Sequence, residues 1–127
     1  LGIVTAAIVA SLTAGQPAAA PRESVEVQLA AETLEVLVFE TEGCLYCRIF
    51  RRDVVPQYNQ SKRAALAPIR FIDPLKTDVS RLGLRQPVTM LPTIVVMRDG
   101  QETGRISGYM GPEPFFHMLS QIVRSTP

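Results

Sequence analysis

An α/β fold, with a central mixed sheet of about four strands flanked by helices and closed by a β-hairpin and a last helix, follows from three features of the sequence. Leu34 to Phe39 is a nearly continuous apolar run, the pattern of a strand covered on both faces. Phe50, Val54 and Tyr58 recur at four-residue spacing, the stripe of an amphipathic helix. Thr93 to Met97 is another buried-strand run, and the Asp99-Gly100 that follows fits a tight hairpin, because that turn type takes positive φ at both central residues.

The chain opens differently. Residues 1–20 carry no charge, and Leu1 to Leu12 is small and apolar, leading into Gly15-Gln16-Pro17-Ala18-Ala19-Ala20. This matches the apolar and small-residue regions of a secretory leader. The stretch falls short of the ~20 apolar residues that span a bilayer, so a leader is expected before a membrane anchor. An Ala-rich leader with no packing role is the alternative. Leu1 has no initiator Met or basic stretch ahead of it, which suggests upstream residues, and Pro21 is a poor first residue for a cut after Ala20. Residues 21–33 read as a linker or edge strand, since Val25, Val27 and Leu29 alternate with Glu26 and Gln28. Residues 34–127 then make one domain, long enough to bury a core unaided.

Within that domain the strand Leu34 to Phe39 leads through Gly43 into a helix whose Arg48, Arg51, Arg52 and Asp53 lie largely off the apolar stripe. Pro56 is expected to kink or break it. A second helical piece is expected from Gln57 to Leu66, ending before Pro68, and then a short strand from Ile69 to Asp73, stopped by Pro74. Leu75 to Met90 shows no clear period; Asp78 can cap a short helix through Leu82 that Gly83 ends. After the hairpin and a strand from Glu102 to Ser107, Gly108 and Gly111 bracket a turn. Pro112-Glu113-Pro114 opens a final helix with Phe115, Met118, Leu119 and Ile122 on one face.

Composition narrows the chemistry. A formal net charge of +1 over 127 residues gives no electrostatic case for a nucleic-acid partner. The single histidine, His117, is far along the chain from the cysteines, so no clustered Cys/His metal site can be assembled. The only two cysteines, Cys44 and Cys47, stand where the first strand hands over to its helix. Two thiols so spaced can close a small disulfide ring, and a helix beginning at Cys44 aims free N–H groups and a positive dipole end at that sulfur. The thiolate is the form that attacks disulfides. A purely structural bond here would close a loop of four residues and remove little chain entropy, so a redox role is the expected one.

With Cys44-Leu45-Tyr46-Cys47 at the first strand-to-helix turn and Met90-Leu91-Pro92-Thr93 before the hairpin, the chain resembles the thioredoxin superfamily over about residues 34–124. More narrowly, Phe39-Glu40, Gly43-Cys44, Tyr46-Cys47, Pro87-Val88-Thr89, Gly104-Arg105-Ile106 and Gly108-Tyr109 resemble the periplasmic thioredoxin-like (SoxS-type) proteins of bacterial sulfur-oxidation clusters. The resemblance implies a thioredoxin-like fold and a periplasmic thiol-disulfide oxidoreductase. Its only redox group would be the Cys44–Cys47 disulfide, with no separate cofactor. Cys44 would attack and Cys47 resolve. Pro92 would be the cis-proline that presents the Leu91 backbone to an extended substrate segment, and Tyr46 would contact that substrate. The implied partners are a protein disulfide, of the sulfur-oxidation carrier kind, and a membrane thiol transporter upstream as reductant.

The sequence also departs from that pattern. Val38 stands where thioredoxins keep a buried acidic residue, Leu45 where many relatives have proline or glycine, and Gly43 where thioredoxins have tryptophan. The amino-terminal strand and helix of full thioredoxins are expected to be missing or much reduced. Glu40, two residues after Val38 and so on the same side of the strand, could replace the missing proton relay; an exposed carboxylate at a strand end is the alternative. A second class of function stays open: a regulatory or binding protein on this scaffold, or a copper metallochaperone using the two thiols.

Overall fold

The computed structural model describes residues 2, 3, 15 and 32–125, so most of the linker or edge strand expected over 21–33 and nearly all of the leader lie outside the described residues. In order the elements are β1 (Leu34–Phe39), α1 (Leu45–Asp53), α2 (Val55–Asn59), α3 (Lys62–Leu66), β2 (Ile69–Ile72), a single 3-10 turn (Val79–Arg81), β3 (Thr93–Arg98), β4 (Gln101–Ser107) and α4 (Pro112–Ser125). The sheet order is β2-β1-β3-β4. β1 runs parallel to β2 and antiparallel to β3, so the most apolar strand is central, and β3 pairs antiparallel with β4.

Strand alternation gives the sheet two apolar faces. Val36, Val38, Ile94, Val96 and Ile106 pack against Phe50, Val54 and Tyr58 from the first helices and Phe115 and Leu119 from α4. Each such side chain contributes about 1.5–3 kcal/mol when fully buried. Phe50 meets Tyr109 and Phe115 edge-on, with ring centroids 5.5 Å and 5.1 Å away. On the other face, Leu37, Phe39, Ile72, Val95 and Met97 are covered by Val79, Leu82, Leu84, Val88 and Leu91. Among the described residues no long helix covers that side; an irregular segment with a single helical turn does, which explains why 75–90 has no legible period.

The helical break falls at Val54, which ends α1 and begins α2, with Pro56 in the first turn of the new helix where its missing N–H costs nothing. The helix expected over Gln57–Leu66 is two pieces. Ser61 donates its hydroxyl to the Tyr58 carbonyl at 2.6 Å, closing α2 and leaving an extended residue before α3. Tyr58 then ties the pieces together by donating its hydroxyl to the Ala67 carbonyl, also at 2.6 Å.

The hairpin has the expected turn, with Asp99 at φ 49° and Gly100 at φ 76°. Asp99 also accepts the Thr33 N–H at 2.9 Å, pinning the turn to the start of β1. Asp78 caps the 3-10 turn by accepting from Ser80 N–H. At Gly104 the sheet approaches α4 so closely that a Cβ there would stand 2.6 Å from Ile122 Cγ2.

Candidate active site

Cys44 is the N-cap of α1, with extended backbone (φ −72°, ψ 109°), and its sulfur accepts the Cys47 N–H at 3.2 Å. The side chain thus takes the place a serine or aspartate oxygen holds at other helix starts. A charge on this sulfur faces the positive end of the helix and one of its free N–H groups. Cys44 and Cys47 are joined in a disulfide with Cα atoms 5.3 Å apart. Their exposure differs: Cys44 is half-buried, whereas Cys47 is only 3% exposed. Cys44 is therefore the more open residue of the two.

Two depressions involve the C-x-x-C turn, one lined by Tyr46 and the other by Cys47. The first is a shallow groove of about 360 Å³ lined by Tyr46, Met90, Leu91, Ser107, Tyr109 and Met110. Tyr46 (58% exposed), Met90 and Met110 leave large apolar surfaces open there, beside an exposed Leu45. The groove unites the C-x-x-C turn with the loop before β3. The Leu91–Pro92 peptide is cis. Pro92 itself is buried; its carbonyl accepts Gly108 N–H at 2.8 Å, and Thr93 donates its hydroxyl to Met90 O at 2.7 Å, so the loop is tied at both ends of the proline.

The second depression, about 560 Å³, reaches Cys47 and has the charged side chains of Glu40, Arg48, Arg51, Asp73 and Lys76 among its walls. Val38, at the position where an acid would be expected, is fully buried among apolar groups. Glu40 is neither buried alone nor a free surface carboxylate. Arg51 grips it through Nε (2.8 Å to Oε2) and through Nη2, and the same guanidinium lies 3.6 Å over the Phe71 ring. The carboxylate pushes the Arg51 guanidinium still further above its usual range. Sequence reasoning singled out Glu40 without its partner; the signal lay in Arg51, two helical turns past Cys44 and off the apolar stripe. Of the other basic residues, Arg52 pairs with Asp53 and Arg48 is exposed at the second depression.

His117 is exposed on α4, hydrogen-bonded to Gln121 at 2.9 Å, and lines neither depression. Among the described residues no group of three or more His, Cys, Asp or Glu could hold a metal ion. No helix among them is long and apolar enough to cross a membrane.

Comparison with known proteins agrees with this geometry. A family model described as a thioredoxin-like domain matches residues 22–122. The crystal structure of the periplasmic thioredoxin SoxS from Paracoccus pantotrophus, in its reduced form, is 36% identical with a TM-score of 0.66, over 71% of this chain and 95% of that one. The germline-specific thioredoxin Deadhead from Drosophila melanogaster shares the fold, at 22% identity and a TM-score of 0.57, over 70% of this chain and 80% of its own. A thioredoxin of Acetoanaerobium sticklandii is 28% identical over 87 residues, 68% of this chain and 79% of that protein.

Proposed function

The chain belongs to the thioredoxin-like family as a thiol-disulfide oxidoreductase with a Cys44–Cys47 pair, and from that premise we propose that it works in the periplasm as the reductant of one specific protein disulfide. The observation that carries the reading is the unequal exposure of two bonded cysteines at a helix start, beside an apolar groove.

In the dithiol form the Cys44 thiolate attacks one sulfur of the partner's disulfide, forming a mixed disulfide and releasing the partner's other sulfur as a thiolate that takes up a proton. Cys47 then gives up its proton and attacks the Cys44 sulfur. The second partner thiol leaves, two electrons have passed to the partner, and the Cys44–Cys47 disulfide of this structure is the product. A dithiol donor upstream, of the membrane thiol-transporter kind, resets the pair.

The partner's extended segment lies in the groove against Tyr46 and pairs strand-like with the backbone of Leu91, which buried Pro92 presents to it. Glu40 takes the Cys47 proton through the second depression, which the two residues share, held in place by Arg51. Glu40→Gln is expected to slow resolution and let the mixed disulfide accumulate; unchanged turnover would exclude the relay. Similarity to a periplasmic thioredoxin and the uncharged, apolar start of the chain support secretion by a leader, and the same similarity supports a carrier protein of sulfur-compound oxidation as the partner.

Two measurements test this. Reduced protein should reduce insulin catalytically in the presence of dithiothreitol, with or without Cu(I); tight one-to-one copper binding without disulfide exchange would instead make it a metallochaperone. Cys47→Ser used as bait in periplasmic extract should retain one partner as a mixed disulfide through Cys44, and recovery of no disulfide-linked protein would contradict the reading.

A further inference from the structure

The segment between β2 and the Leu91–Pro92 bond covers a sheet face with one 3-10 turn, so its backbone needs partners from elsewhere in the chain. Two residues of β4 supply them. Glu102 donates its N–H to Gly83 O at 3.1 Å and accepts Arg85 N–H on Oε2 at 2.7 Å. Arg105 donates to Gln86 O at 2.8 Å and to Pro87 O at 3.1 Å. The two side chains are also locked to each other, Nε to Oε1 at 2.6 Å and Nη2 to Oε2 at 2.7 Å, and Glu102 is only 4% exposed.

On a regular strand, residues three apart point to opposite faces of the sheet. Here the ladder shifts between Val96 and Met97: Val96 pairs with Gly104 and Met97 with Glu102, leaving Thr103 as an extra residue. The bulge turns Glu102 and Arg105 to one face. That face is the one the irregular segment covers, across from Val95 and Met97. Apolar packing of Leu84, Val88 and Leu91 holds the segment down but is non-directional. The charge-assisted, forked contacts of the pair fix where it lies.

We propose that the Glu102–Arg105 pair is a positioning device for substrate docking: by clamping residues 83–87 it sets where Met90, Leu91 and Pro92 meet the partner beside the disulfide. The inference rests on the reading that the Leu91 loop receives the partner. Neither residue touches the reacting sulfurs, so the pair acts on docking and leaves the intrinsic chemistry of Cys44 alone.

The test compares Arg105→Met with wild type and with Pro92→Ala, using insulin as the protein disulfide and 5,5′-dithiobis(2-nitrobenzoate) as a small disulfide that needs no docking strand. A misplacement of about 1 Å can cost about a hundredfold, so a partly released loop is expected to raise KM for insulin about tenfold. The insulin kcat and the rate with the small disulfide should stay within about twofold of wild type. If Arg105→Met fails to fold with its carboxylate partner unpaired, Glu102→Leu/Arg105→Leu carries the same test, because apolar replacement of a buried ion pair is often neutral. An unchanged KM in the clamp variants alongside a raised KM in Pro92→Ala overturns the clamp and leaves the docking loop standing. An unchanged KM in all variants overturns the docking-loop reading, and the clamp with it. Equal loss with both disulfides overturns positioning in favour of a purely structural role.

Discussion

Cys44 shows how much one position can carry. It ends a turn, caps a helix and presents a sulfur, while Cys47 three residues on supplies the N–H that sulfur accepts and is itself hidden. This part of the site was legible, because spacing and strand-to-helix context fix it locally. The long-range polar contacts were not. Glu40 and Arg51 are eleven residues apart, and Glu102 accepts the Arg85 backbone N–H from seventeen residues away, so neither contact leaves a periodic trace in the sequence. Glu102 also yields a pH prediction. Hydrogen bonding from Arg105 holds its carboxyl below the ordinary value against the opposing effect of burial. A lowered folded-state value means this stabilisation is complete above the unfolded value and is lost as pH falls through the folded one. Thermal midpoints of wild type and Glu102→Gln should therefore differ most near neutral pH and begin to converge as pH falls below about 4.5, meeting below the lowered folded-state value. Parallel curves down to pH 3 would show that the charge contributes nothing.

At the scale of elements, the strands and long helices were legible from apolar runs and four-residue spacing, and the hairpin from Asp99-Gly100. Two things were not. The break at Ser61 depends on a side-chain bond to Tyr58, and the β4 bulge at Thr103 is set by the partner strand and the segment across it. Each join can be probed. Tyr58→Phe leaves the Ala67 carbonyl without its buried donor and should cost about 1–2 kcal/mol in chemical unfolding, with no change in Cys44 alkylation rate. Gly104→Ala forces a methyl against Ile122 and should cost about 1–3 kcal/mol. The double variant with Ile122→Ala should lose less than the sum of the single losses, and strict additivity would mean that the contact does not limit the approach of α4.

Among the described residues the molecule is a sheet with helices on one face and an irregular segment on the other, with the disulfide at the start of the first helix. Its two apolar clusters do not depend on the Cys44–Cys47 bond, which closes too short a loop to contribute more than about 2 kcal/mol of chain entropy. Reduction should leave a cooperative unfolding transition with its midpoint lowered by roughly 10 °C; loss of cooperativity would show the bond to be structural. A fold that stands in both redox states is what repeated exchange requires, and the order of attack is the claim on which the account turns. Mass spectrometry of purified Cys47→Ser and Cys44→Ser, each incubated with insulin, tests it most directly. A stable one-to-one mixed disulfide through Cys44 is expected in Cys47→Ser and none in Cys44→Ser; an adduct formed through Cys47 would contradict this order of attack.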